Sequence, residues 1–282
     1  MMKILTVTII YLLSTCYLLG QISSAEVSTN LTVQSGVSFV TLKDQTFSPI
    51  VFSGFVPNIR LGFNQNIRNK ELWSVHLSLS SGNIRYNNKY FSSTHQNAQF
   101  TLNYLTKLKS FGKSKVFLGG QLNSELNTLN FDGFSSGSWY TAQKLEPIVI
   151  YDYEISDRQS IRGQLHYPIA SLIGRPPYGG VDEFVVANDD NIPKILYSRL
   201  KIYSITKLVN PDIELRYFYT LQKTALSITA NYSYIQVNSV RKYSKNELNL
   251  SAAVKINIGK YNEGQNTVCS VLHVCTPELS NR

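Results

Sequence analysis

The sequence predicts an all-β chain closed into a single transmembrane antiparallel β-barrel of about 12 strands, with 10 as the fallback, behind a cleaved signal peptide. Three observations predict it. Charged residues make up only 16% of the 282-residue chain, while Tyr and Phe reach 18 and 13; soluble domains carry roughly 25% charge. Many stretches alternate apolar and polar side chains over about ten residues, the length that crosses a bilayer at a tilt. The connections between them are by turns short and long, as periplasmic turns and outer loops are.

The amino terminus reads as an export signal. Met1-Met2-Lys3 is a short positive start, an apolar run extends from Ile4 to Leu19, and Gln21-Ile22-Ser23-Ser24-Ala25 offers small residues for cleavage after Ala25. A rival reading makes Cys16 a lipidated first residue, but Thr15 before it and the apolar Tyr17-Leu18-Leu19 after it fit poorly. The expected division is residues 1–25 signal peptide, 26–259 outer-membrane barrel and 260–282 flexible tail. Cys269 and Cys275 lie close together in that tail. An exported chain favours a small disulfide loop between them; two unpaired thiols, or metal binding with His273, are the alternatives.

The strands follow in order. Residues 37–42 and 58–67 are the first two candidates. In 71–81, Trp73, Val75, Leu77 and Leu79 oppose Ser74, His76, Ser78 and Ser80. Then come 98–108, 116–129, 145–155, 161–172 and 199–208. In 213–222, Ile213, Leu215, Tyr217 and Tyr219 oppose Glu214, Arg216 and Thr220, and 226–237 follows. The clearest strand is 247–258, where Leu248, Leu250, Ala252, Val254, Ile256 and Ile258 share one face. Short turns fall at 68–70, 111–114, 156–159 and at Asn210-Pro211-Asp212, and long loops at 43–54, 83–97, 130–142 and 174–198. Eleven strands would leave the two chain ends on opposite sides, so a twelfth crossing is expected at Glu183-Phe184-Val185-Val186-Ala187. A soluble sandwich also alternates, but the strand length, the Tyr and Phe near strand ends and the loop rhythm favour the barrel.

The net charge of +9 comes from scattered Lys and Arg, many beside short turns. It suggests solvated turns or contact with lipid phosphates, not a nucleic-acid interface. His76-Leu77-Ser78 places an imidazole and a hydroxyl on one strand face, the pairing that activates a serine nucleophile. The pattern is similar to that of outer-membrane phospholipase A and lipid A deacylases. That resemblance implies a lipid hydrolase with Asn103 orienting His76. Placement of the pair on the polar face argues against it, because a lumenal serine does not readily meet an acyl chain. Across the 145–172 hairpin, Glu146, Asp152 and Glu154 face Arg162, Gln164 and His166. A glycosidase-like carboxylate pair is one reading and an interior charge ladder the other.

Pro168 demands an edge or a bulge in its strand, and Arg175-Pro176-Pro177-Tyr178-Gly179-Gly180 forms a stiff rim turn. Arg175 and Tyr178 are therefore the candidate binding residues, on a loop that either plugs the lumen or presents a surface. The segment His166-Tyr167-Pro168-Ile169 to Arg175-Pro176-Pro177-Tyr178, with Gly119-Gly120 in an earlier strand, resembles uncharacterised outer-membrane barrel proteins of Bacteroidota. The resemblance spans the mature chain and implies no enzymatic residues. The expectation is a non-catalytic barrel in a Gram-negative outer membrane, serving small-solute passage, surface binding or an envelope partner. Its surroundings are outer-membrane lipid; a monomer is expected, with no nucleic acid, metal or cofactor. A lipid hydrolase and a secreted sandwich adhesin are the alternatives.

Overall fold

The computed structural model describes residues 27–261, except 47–49, 68–69, 87–90, 133–136, 178–180, 189–190, 198, 222–223 and 240. The expected signal peptide, nearly all of the tail, the cysteines Cys16, Cys269 and Cys275, and Tyr178 lie outside these residues. The strands are β1 Val27–Asp44, β2 Phe52–Ile67, β3 Glu71–Arg85, β4 Ser92–Phe111, β5 Ser114–Phe131, β6 Gly137–Ser156, β7 Gln159–His166, β8 Ala170–Gly174, β9 Lys201–Ser204, β10 Leu208–Val209, β11 Asp212–Thr220, β12 Thr224–Val237 and β13 Tyr243–Tyr261. Two short helices, α1 Val181–Val186 and α2 Ile192–Tyr197, lie between β8 and β9. All pairings are antiparallel, and β13 pairs with β1 from Val27–Tyr261 to Asp44–Tyr243, so the sheet closes on itself.

The wall has 10 staves, the fallback count and not the preferred 12. β7 and β8 both lie along β6 and form one stave, interrupted at Tyr167-Pro168-Ile169. Pro168 has no N–H to give to the ladder. Inward parity slips there, with His166 buried before the break and Ser171 and Ile173 buried after it. β9, β10 and β11 form the next stave, so the expected strands 199–208 and 213–222 are a single crossing. Asn210-Pro211-Asp212 is consequently a break inside the wall and not a periplasmic turn. The expected crossing at Glu183–Ala187 is also corrected: most of that run is helix α1 in the outer loop. A short apolar run suits either period, and a closed wall has no free edge to receive it. It packs on the barrel's outer side instead, with Phe184 stacked on Trp139 at 6.3 Å.

Following the ladder from His166 through Ile148, Gly119, Leu105, Leu72 and Asn66 reaches Ser28. The other way round, through Asp212, Ser233 and Glu247, it reaches Val40. The two ends differ by 12 positions along β1. A stagger of this kind accompanies the roughly 35–45° strand tilt of closed barrels.

Along every stave except that of β4, the inward-facing side chains turn from polar to apolar towards the outer end. On β1, Leu31, Val33, Val37 and Phe39 face out while Asn30, Thr32, Gln34 and Ser38 are buried inside; beyond them Val40 and Leu42 are buried and Thr41 and Lys43 face out. On β12, Leu226 and Ile228 face out over the buried Ser227 and Thr229, whereas Ile235 and Val237 are buried farther along. The first zone suits lipid outside and a polar lumen inside; the second suits water outside and an apolar core inside. Aromatic pairs mark both edges of the belt: Phe39–Phe55 at 5.2 Å near the outer edge and Trp73–Tyr104 at 4.6 Å near the short turns.

The even stave count puts both described ends on the side of the short turns. In a background with Cys269 and Cys275 replaced by serine, Asp132→Cys should react with an impermeant thiol reagent on intact cells, and Asp157→Cys should not. Labelling of Asp157→Cys alone would invert the orientation.

Candidate functional site

The lumen is filled with side chains and divides into three levels. Near the outer end Lys144 donates to Glu125 at 2.7 Å and to Asn210 at 2.8 Å, and Lys245 donates to Glu125 at 3.3 Å and Glu247 at 3.0 Å. Asn127 donates to Glu125 at 2.6 Å, and Ser38 to Glu247 at 2.7 Å. Every member except Glu247 is less than a tenth exposed. In the middle, His166 sits between two carboxylates, Nδ1 at 3.0 Å from Glu146 and Nε2 at 3.1 Å from Asp212. Towards the short turns, Arg162 makes a two-pronged bond to Asp152 at 2.6 and 2.7 Å, and Glu214 pairs with Arg216 at 2.7 Å and Arg60 at 3.5 Å. Cavities of about 70 and about 60 Å³ remain among these groups.

The expected facing of the hairpin charges thus becomes a set of direct ion pairs. Glu154, at the end of the row, pairs with Lys115 instead. Asp212 belongs to this lumenal set too; reading it as a turn residue hid it. The network around Glu125 also went unread, although Glu125 and Lys144 occupy polar positions of consecutive strands.

His76 and Ser78 both lie on the lumenal face of β3, as the alternation placed them. Ser78 accepts a hydrogen bond from Arg60 Nε at 3.3 Å. Asn103 donates to Ser74 at 3.0 Å, so it is directed at that hydroxyl and not at His76. The ring of His76 lies over Gly62, where a side-chain carbon would come within 2.5 Å of Nδ1, so only glycine leaves room for it. Among the described residues that Nδ1 has no hydrogen-bond partner. The three residues lie within one wall segment, but Ser78 and Asn103 are engaged elsewhere.

Above the polar network the lumen is closed by an apolar core. Val40, Leu42, Phe52, Val56, Ile84, Leu129, Tyr140, Ala142, Ile173, Tyr203, Leu208, Ile235, Val237 and Tyr243 form it, one or more from every stave except that of β4. Tyr140 and Tyr243 stack at 4.7 Å with nearly parallel rings. Arg175 ties this closure together: it donates to Asp44, to Thr46 at 2.6 Å, to Ser239 at 3.1 Å and to the Arg241 carbonyl at 2.5 Å, and its guanidinium lies over the Tyr243 ring. Asp44 also accepts from Ser138 at 2.6 Å. Arg175 therefore joins three outer segments through its two terminal nitrogens. The described helices of the long loop pack on the outer side of the wall, Phe184 against Trp139. Thr141 donates to the Leu196 carbonyl at 3.1 Å, holding α2 against the outer side of β6.

No family model matches this chain, and no curated protein matches it in sequence. Solved structures do match in shape. The outer membrane protease OmpT from Escherichia coli aligns with a TM-score of 0.51 at 8% identity, covering 84% of this chain and 99% of that one. The translocator domain of the autotransporter NalP from Neisseria meningitidis gives 0.45 at 7% identity, covering 84% and 89%. The attachment invasion locus protein Ail of Yersinia pestis gives 0.38 at 8% identity, covering 81% and 99%. At such identities the likeness is one of fold: the chain has the architecture of an outer-membrane β-barrel.

Proposed function

We propose that the protein is a closed, non-catalytic outer-membrane barrel that acts at its extracellular end, in surface binding or as the membrane partner of another envelope protein. The observation that carries this reading is the apolar core across the outer lumen. Ions need a continuous wet path, and open aqueous channels belong to roughly 16–18 strands. Here the wall is narrower, its middle is filled by paired charges and its outer end by fourteen buried apolar side chains. Membership of the Bacteroidota barrel family belongs to the same reading, supported by the segment from His166 to Pro177. The protease named among the similar folds lends this chain a shape and no activity.

The test uses purified protein in planar bilayers and in detergent. We expect no steady ion conductance and no release of fatty acid from phospholipid or lipid A, with or without Ca²⁺. An unactivated serine hydroxyl is a weak nucleophile at neutral pH, and Ser78 is bonded to Arg60 inside the lumen. Steady channels would overturn the closed-barrel reading. Acyl release abolished by both Ser78→Ala and His76→Ala would put the hydrolase in its place.

A further inference from the structure

The stave made of β9, β10 and β11 is divided at its outer end. β9 pairs with β8, whereas β10 pairs with β12. Residues 205–207 turn between them, and a cavity of about 550 Å³ opens at the divide. Five cationic residues line it, Arg175, Arg199, Lys201, Lys207 and Arg241, and among the described residues no carboxylate does. Arg175 is committed to Asp44. Arg199, Lys201 and Lys207 are exposed and have no carboxylate partner among the described residues, Arg199 lying over the Phe184 ring at 5.1 Å. Like charges gathered round one cavity repel each other unless an anion lies between them.

The floor of the cavity shows which anion fits. Ile202, 80% exposed, lines the cationic cavity and also an apolar groove of about 480 Å³ on the lipid-facing wall, with Phe100, Leu122, Leu145 and Leu172. Positive charge directly over an open apolar groove matches an amphiphile, whereas a free anion needs no groove. Basic residues at a leaflet surface gain from lipid phosphates.

We infer that this rim binds an anionic outer-leaflet lipid, its phosphate in the cationic cavity beside β9 and an acyl chain in the groove below. Lumen closure is a separate matter: conductance would overturn the closed-barrel reading and leave this site untouched.

Native mass spectrometry of the full protein in detergent tests it, with diphosphoryl lipid A as probe, the same lipid without phosphates as control, and millimolar inorganic phosphate as competitor. We expect the phosphorylated lipid to be retained and the dephosphorylated one to be lost. Inorganic phosphate should fail to displace it. Lys201→Gln with Lys207→Gln should weaken retention about tenfold or more, Lys201→Arg with Lys207→Arg should preserve it, and Ile202→Ser should weaken it through the groove. Heat-modifiable gel mobility shows that each variant still forms the barrel. Equal retention by the folded glutamine variant, or of the lipid without phosphates, would overturn the site. Displacement by inorganic phosphate would overturn the lipid and leave a free-anion site.

Discussion

Glu125→Ala should lower the unfolding free energy by about 3–5 kcal/mol, the usual cost of removing one partner from a buried ion network. The carboxylate of Glu125 accepts from Lys144, Lys245 and Asn127, and it is only 5% exposed. Without it Lys245 keeps Glu247, but Lys144 keeps only Asn210 and the field of more distant carboxylates. A buried ammonium left so is far costlier than the lost attraction alone. The physical control is to remove both charges: Glu125→Met with Lys144→Met should recover most of the stability, because an apolar pair of similar volume is often as good as a buried ion pair. Urea unfolding in lipid vesicles reads both. A single variant within 1 kcal/mol of wild type would mean that water reaches Glu125, and the packed lumen would be wrong at that level.

Much of the wall was legible because a lipid-facing strand has to alternate. Leu248 to Ile258 shows its two faces without any partner in view, and so do Trp73 to Ser80. What could not be read was where one crossing ends. Residues 199–208 and 213–222 each look like a strand, and Asn210-Pro211-Asp212 between them has turn chemistry; only the pairing of His166 with Asp212 shows that the chain continues in one stave. Period-two reasoning also hides the inversion of faces, although its trace is present. The doublets Phe39-Val40, Phe55-Val56 and Tyr234-Ile235 are places where two adjacent residues are both apolar, one toward lipid or headgroups and the next into the outer core. Read as simple strands, they lose the apolar closure that most constrains function.

For the site, alternation placed His76, Ser78 and the hairpin charges correctly on the inner face. It could not say which neighbours they find. Partner choice depends on register across strands distant in sequence, as between Arg60 and Glu214 or between Lys245 and Glu125. The closure by Arg175 was hidden for the same reason, since Asp44 is 131 residues away. Separation of that order is set by the barrel's stagger, which local pattern does not contain.

The assignment of faces has a direct test on β13. Leu250→Arg and Val254→Arg should each hinder insertion, at a cost of ~2–4 kcal/mol near the midplane. Both side chains face out, Leu250 at 59% exposure, where a guanidinium would meet hydrocarbon with no acceptor. Asn249→Arg, one position away, should cost ~1 kcal/mol or less, within the worth of one lost hydrogen bond. Asn249 faces the lumen and donates to Ser38 at 2.8 Å, so the new cation would share the inner face of β13 with Glu247. Refolding yield into vesicles and the urea midpoint measure the difference. The closed wall requires the two faces to differ; equal penalties at 249 and 250 would mean that β13 does not separate lipid from lumen, and the barrel would fail with it.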